Sequence, residues 1–94
     1  MSVAAVSVTT NSTLIIAENF RRVGLVIENL GAATVYMGDV STVAATTGIR
    51  ILPFERWMES PSSEAGAFFY KGTYYGITSA GTADVRVMEL ETTR

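Results

Sequence analysis

Turn-forming residues interrupt this chain at short intervals, and no segment between them has the length or the period of a helix. The breaks fall at Thr10-Asn11-Ser12, Asn29-Leu30-Gly31, Gly38-Asp39, Thr47-Gly48, Pro61-Ser62-Ser63, Lys71-Gly72 and Ala80-Gly81. These residue types tolerate unusual φ or bond their own backbone, so they mark tight turns. No stretch carries apolar residues at i, i+3, i+4 and i+7; alternation with period two recurs instead. Val23, Leu25 and Ile27 fall on one face of a strand whose other face holds Arg22, Gly24, Val26 and Glu28. Val85 and Val87 alternate with Asp84, Arg86 and Met88 in the same way. Val, Ile and Thr supply 28 of the 94 residues; β-branched side chains suit a pleated surface and are hindered at χ1 in a helix.

Strands are expected near 3–9, 13–17, 22–29, 34–37, 43–52, 55–59, 67–71, 74–79 and 83–90. The expected fold class is all-β: a small antiparallel β-sandwich or jelly-roll-like domain of about eight short strands. A chain of 94 residues has room for one core, so a single domain spans 1–94. It hides only about 60–65% of its unfolded surface, which makes self-association a useful source of further stability. The segment 59–66 (ESPSSEAG) reads as a loop, because it is small, polar and proline-bearing.

The inventory for chemistry is thin. There is no histidine and no cysteine, which removes the commonest general base and the thiolate ligands. Nine Asp and Glu are scattered without the spacing of a metal loop. Asp39 follows Gly38 at a turn, where Asp bonds its own backbone. Glu55 and Glu59 flank Trp57 on one strand face, a pattern that fits a solvated or interface-lining role. Serines and threonines number twenty, but a hydroxyl is a weak nucleophile without a base beside it, and no S-x-x-K motif accompanies Lys71. The glycines form no phosphate loop. No enzyme activity, cofactor or metal site is expected. Seven Lys and Arg against nine acids, net charge -2, supply no positive groove for nucleic acid. The first cation is Arg21 and apolar runs such as 14–17 are short, so neither a signal peptide nor a membrane span is expected.

The aromatic residues point to contact. Phe68-Phe69-Tyr70 and Tyr74-Tyr75 read as a hairpin closing at Lys71-Gly72, with rings on both faces. One face serves as core; the other is either covered within the sandwich or offered to a partner, as aromatic residues are at interface centres. Pro53-Phe54-Glu55-Arg56-Trp57-Met58 adds a second cluster of types enriched in protein contacts, with Trp57 in its own core as the alternative. The candidate interface residues are Phe54, Trp57, Met58, Phe69 and Tyr74. A carbohydrate-binding surface would use Trp57 and nearby tyrosines as a stacking platform.

Several segments together form a recognisable pattern: 22–31 (RVGLVIENLG), 34–38 (TVYMG), Thr47-Gly48-Ile49 with Leu52-Pro53, and 75–87 (YGITSAGTADVRV). The pattern resembles small β-sandwich structural proteins of tailed bacteriophages, including head decoration (cement) proteins and modules of head or tail fibres. The resemblance implies a virion protein on the capsid surface, made in the host cytoplasm. It would assemble as a homotrimer and clamp neighbouring copies of the major capsid protein. It would have no active site; a tail, baseplate or fibre accessory is the alternative placement. In that setting the segment 1–11 reads as an arm reaching a neighbouring subunit. The sequence departs from the pattern at one turn, where Pro-Gly is usual and Pro53 here precedes Phe54. A type II turn with glycine is therefore not expected there, and the ring is read as a contact residue.

Overall fold

The computed structural model describes residues 2–59 and 71–91. Its strands are β1 (Ser2–Val8), β2 (Thr13–Ile16), β3 (Arg22–Asn29), β4 (Val35–Gly38), β5 (Ile49–Ile51), β6 (Arg56–Glu59), β7 (Tyr74–Thr78) and β8 (Ala83–Glu91). They form two four-stranded sheets, A in the order β1-β8-β3-β6 and B in the order β2-β7-β4-β5, and every pairing is antiparallel. No helix occurs among the described residues. The fold is a small all-β sandwich. Its core interleaves Val8, Leu25, Ile27, Ala83, Val85 and Val87 of sheet A with Ile15, Val35, Met37, Ile51 and Tyr74 of sheet B. This is the arrangement that period-two alternation builds when two sheets bury one face each.

Three local expectations are corrected. The region 43–52 holds strand only at Ile49–Ile51. Residues 40–48 instead run through turns, closed by Val43 N–H to Val40 O, and by Thr47 and Gly48 N–H to Ala44 O. β-propensity says what suits a sheet, not whether a partner exists, and β4 offers β5 only Val35 to Met37. The hairpin expected across Lys71-Gly72 finds no open edge, because β2 and β4 flank β7 on its two sides. Phe68, Phe69 and Tyr70 lie outside the described residues, as does the loop 59–66 beyond Glu59. Residues 2–8, read as part of an arm, are laid along β8 of the same chain from Ser2↔Glu89 to Val8↔Ala83, and bury Val8.

The sheets are tied at both ends of β3 by buried polar side chains. β3 opposes β8 with a bulge: Arg22 faces Glu91 and Gly24 faces Leu90, leaving Val23 as the extra residue. A bulge of this kind resets the alternation, so Arg22 is turned to the inner face and fully buried. The expected sharing of one face by Val23, Leu25 and Ile27 is corrected accordingly, with Val23 only half-buried. The Arg22 guanidinium donates to Glu89 Oε2 at 2.7 Å, to Gly72 O at 2.9 Å and to Ala17 O at 2.7 Å. Glu89 belongs to sheet A, while the two carbonyls lie at the ends of sheet B strands. Nearby, the Asn19 backbone N–H donates to Lys71 O at 2.8 Å.

Asn29 does the same work at the other end of β3. Its amide nitrogen donates to Ala33 O at 2.8 Å and Ile51 O at 3.0 Å, and its Oδ1 accepts from Gly31 N–H at 3.0 Å. Gly31 must be glycine, since a Cβ there would stand 2.7 Å from the Ala83 Cα.

The turn after β5 keeps type II geometry without the glycine. Glu55 N–H donates to Leu52 O at 3.0 Å, closing a turn with Pro53 at its first central position and Phe54, at φ 66°, in its second. That is the type II signature with phenylalanine in the place glycine prefers. Phe54 N–H also donates to Asn29 O at 2.6 Å, which holds the backbone there. A left-handed residue with a Cβ costs about 1–2 kcal/mol, and the ring regains little because it is 74% exposed. Phe54→Gly is expected to stabilise the fold by roughly 0.5–1 kcal/mol, after glycine's own entropy cost is set against the relief. Urea melts of the two proteins check this; a lower midpoint for the glycine variant contradicts it.

Candidate functional site

Directly opposed residues of antiparallel strands share a face, so register decides which outward side chains of sheet A form a surface. Val3 of β1 opposes Met88 of β8, Met88 opposes Val26 of β3, and Val26 opposes Met58 of β6. One uncharged, apolar row therefore crosses all four strands. Its ends, Val3 and Met58, are each 64% exposed, and the middle residues are half-buried. The adjacent row is Ala5, Arg86, Glu28 and Arg56. Arg56 Nε stands 3.8 Å from Glu28 Oε2, and Arg86 Nη2 lies 3.1 Å from Asp84 Oδ2. Exposed pairs of this kind add little stability. Between the rows lies a shallow depression of ≈ 190 Å³, lined by Val3, Val26, Glu28, Arg86, Val87 and Met88. Charge borders the row on this side, and Leu90 of β8 opposite Gly24 of β3 continues it on the other; an apolar patch with charge at its margin fits a protein contact surface.

The candidate residues named from sequence divide into two groups. Phe54 and Met58 are exposed, Phe54 on the strained turn and Met58 at the end of the apolar row. Trp57 and Tyr74 point the other way. Trp57 is half-buried against the core, and its Nε1–H donates to Glu59 Oε2 at 3.0 Å. Tyr74 is 8% exposed, and its hydroxyl donates to the same oxygen. Glu59 thus links β6 of sheet A to β7 of sheet B, while its Oε1 is buried without a partner among the described residues. Glu55 parts company with Glu59: its carboxylate accepts from Leu52 N–H at 3.2 Å, within the turn. Phe69 lies outside the described residues.

A second depression, ≈ 350 Å³, is lined by Met37, Gly38, Asp39, Thr47, Ile49 and Tyr74. The Thr47 hydroxyl is committed to its own turn, accepting from Ala44 N–H at 3.0 Å. Asp39 stays exposed at the turn after β4. On the outer face of sheet B, Tyr75 opposes Leu14, and Tyr36 lies between Ile77 and Arg50.

Val3, Val26 and Met88 were not singled out by sequence reasoning as surface residues of one patch. The alternation around Val26 and Met88 is visible in the chain, but their adjacency rests on pairing between strands sixty residues apart. No family model, no curated protein and no solved structure matches the chain.

Proposed function

We propose that this protein is a non-enzymatic structural module that works by protein–protein contact through the outer face of sheet A. The setting that the sequence pattern suggests is a phage head decoration protein, seated on the major capsid protein. The observation that carries the contact reading is the row Val3–Met88–Val26–Met58, apolar across the full width of the sheet and bordered by charge on one side. Phe54 supports it: a ring held exposed at a backbone cost is the kind of feature retained for binding.

Lysine at Met58 puts a charge at the end of the row without entering the core. Met58→Lys is expected to fold as the parent does and to lose at least about tenfold in affinity for heads of the phage that encodes the chain, the loss of one interface anchor. Co-sedimentation measures this, with Leu14→Lys, on the opposite outer face, retaining binding. Equal binding by Met58→Lys and the parent contradicts the reading.

The outer face of sheet B favours a second reading. Tyr36 and Tyr75, beside Arg50, provide rings on which a sugar could stack, a role Trp57 does not fill because its indole is turned toward Glu59 and the core. Glycan binding that is lost in Tyr75→Ala but kept in Met58→Lys would favour this reading.

A further inference from the structure

The four sheet edges are not alike. β2 and β5 are short, four and three residues. β6 carries Arg56 and Glu59, β5 carries Arg50, and β2 has a register shift between Leu14 and Ile16. Short length, charge and irregularity are the means by which proteins keep an open edge from pairing. β1 has none of them. It is seven residues long (SVAAVSV), without charge or proline, and its register with β8 is unbroken from end to end. Ala4 and Ala5 at its middle are exposed, and their small side chains leave the backbone approachable.

We propose that the edge of β1, unpaired among the described residues, pairs with β1 of a second copy, antiparallel about a two-fold axis at Ala5, to give one continuous eight-stranded sheet. A two-fold axis normal to a sheet makes an edge its own complement, because each strand presents to the other the same run of donors and acceptors. Such an axis also keeps both cores on one side of the sheet. Paired residues must then share a face, so their numbers differ by an even step. The register that uses all of Ser2–Val8 is the one centred on residue 5: Ala5 opposite Ala5, Val3 opposite Ser7, and Ala4 opposite Val6. No charge enters the new ladder. The two apolar rows of sheet A would lie on one face of the joined sheet, which doubles the surface offered to a partner. The pairing does not depend on what that partner is. It predicts a two-fold assembly where the sequence pattern implies a trimer.

The chain has no cysteine, so any disulfide in a single-cysteine variant joins two copies. Opposed Cα atoms in an antiparallel ladder lie about 4.5–5.5 Å apart, inside the range of about 4.4–6.8 Å that a disulfide spans. In this register, Val3→Cys and Ser7→Cys each place the two thiols about 14 Å apart along the strand. Ala5→Cys is therefore expected to form a covalent dimer at least roughly tenfold faster than either of the others. The wild-type chain should reach twice 10.1 kDa by light scattering over a concentration series. Ala5→Glu, which sets two like charges across the axis, should stay monomeric with an unchanged circular dichroism spectrum. A wild-type mass that stays at one chain or reaches three overturns the proposal, as do equal oxidation rates for the three cysteine variants.

Discussion

Replacing Arg22 with methionine is expected to cost the fold about 3–5 kcal/mol, the penalty for removing one partner of a buried ion pair. Small domains are stable by only about 5–15 kcal/mol, so the variant should be largely unfolded well below the parent's urea midpoint. The magnitude follows from what the side chain leaves behind. Arg22 is fully buried and the Glu89 side chain is 15% exposed, so the carboxylate would be left without its partner and with little water to replace it. Gly72 O and Ala17 O would lose their donors as well. Lysine should not rescue the fold, because three acceptors in three directions fit the planar guanidinium and not a point charge on a flexible stem. The double variant Arg22→Met, Glu89→Leu should recover part of the loss, since an apolar pair can replace an ionic one. Chemical denaturation of all four proteins checks the set. A single methionine variant within about 0.5 kcal/mol of the parent, the range of an ordinary surface change, contradicts the account.

Asn29→Asp is expected to destabilise by about 2–4 kcal/mol, although it alters one atom. The amide points its two N–H groups at Ala33 O and Ile51 O and its oxygen at Gly31 N–H. A carboxylate at the same place would face two carbonyls with an oxygen instead of a donor. Buried groups left unpaired cost about 1–3 kcal/mol each, more when charged. Asn29→Ala should lose a similar amount by a different route, leaving the same carbonyls unmet. Because Ile51 belongs to sheet B and Asn29 to sheet A, both variants should loosen the packing between the sheets. Hydrogen exchange at Ile51 and at the residues of β3 reads that loosening directly; exchange equal to the parent's would show that the two sheets hold together without this link.

Much of the scaffold can be read from the chain. Leu25, Ile27, Val85 and Val87 face inward as their alternation requires, and the turns at Asn29-Leu30-Gly31, Gly38-Asp39 and Ala80-Gly81 fall between strands. The departures share one cause: pairing over long range overrides local pattern. Arg22 looks like an outward residue until the bulge opposite Glu91 resets the face. Asn29 reads as a turn former and is one, but its side chain also reaches Ile51. Val43, Thr46 and Thr47 suit a strand, yet no strand among the described residues pairs with them. Tyr74 and Tyr75 suggest a hairpin, but β2 and β4 already pair with both sides of β7.

The candidate surface was legible only in part. Met58 was visible as part of the contact-enriched cluster 53–58, and Phe54 as a ring where glycine would be easier. Their company was not visible, because Val3, Met88, Val26 and Met58 become neighbours only through three separate strand registers. Trp57 and Glu59, two residues apart on one strand, share a face by simple alternation; which face that is depends on Tyr74 across the sandwich.

We propose the outer face of sheet A as the working surface. Methionine oxidation tests it most directly, since Met58 and Met88 stand on that face while Met37 is buried at 1% exposure as an internal reference. The protein would be oxidised free and bound to phage heads, and each methionine followed by mass spectrometry. Met58 and Met88 should be oxidised in the free protein and protected in the bound one, with Met37 slow in both. Met58 and Met88 oxidising at the free rate while the protein is bound would contradict it.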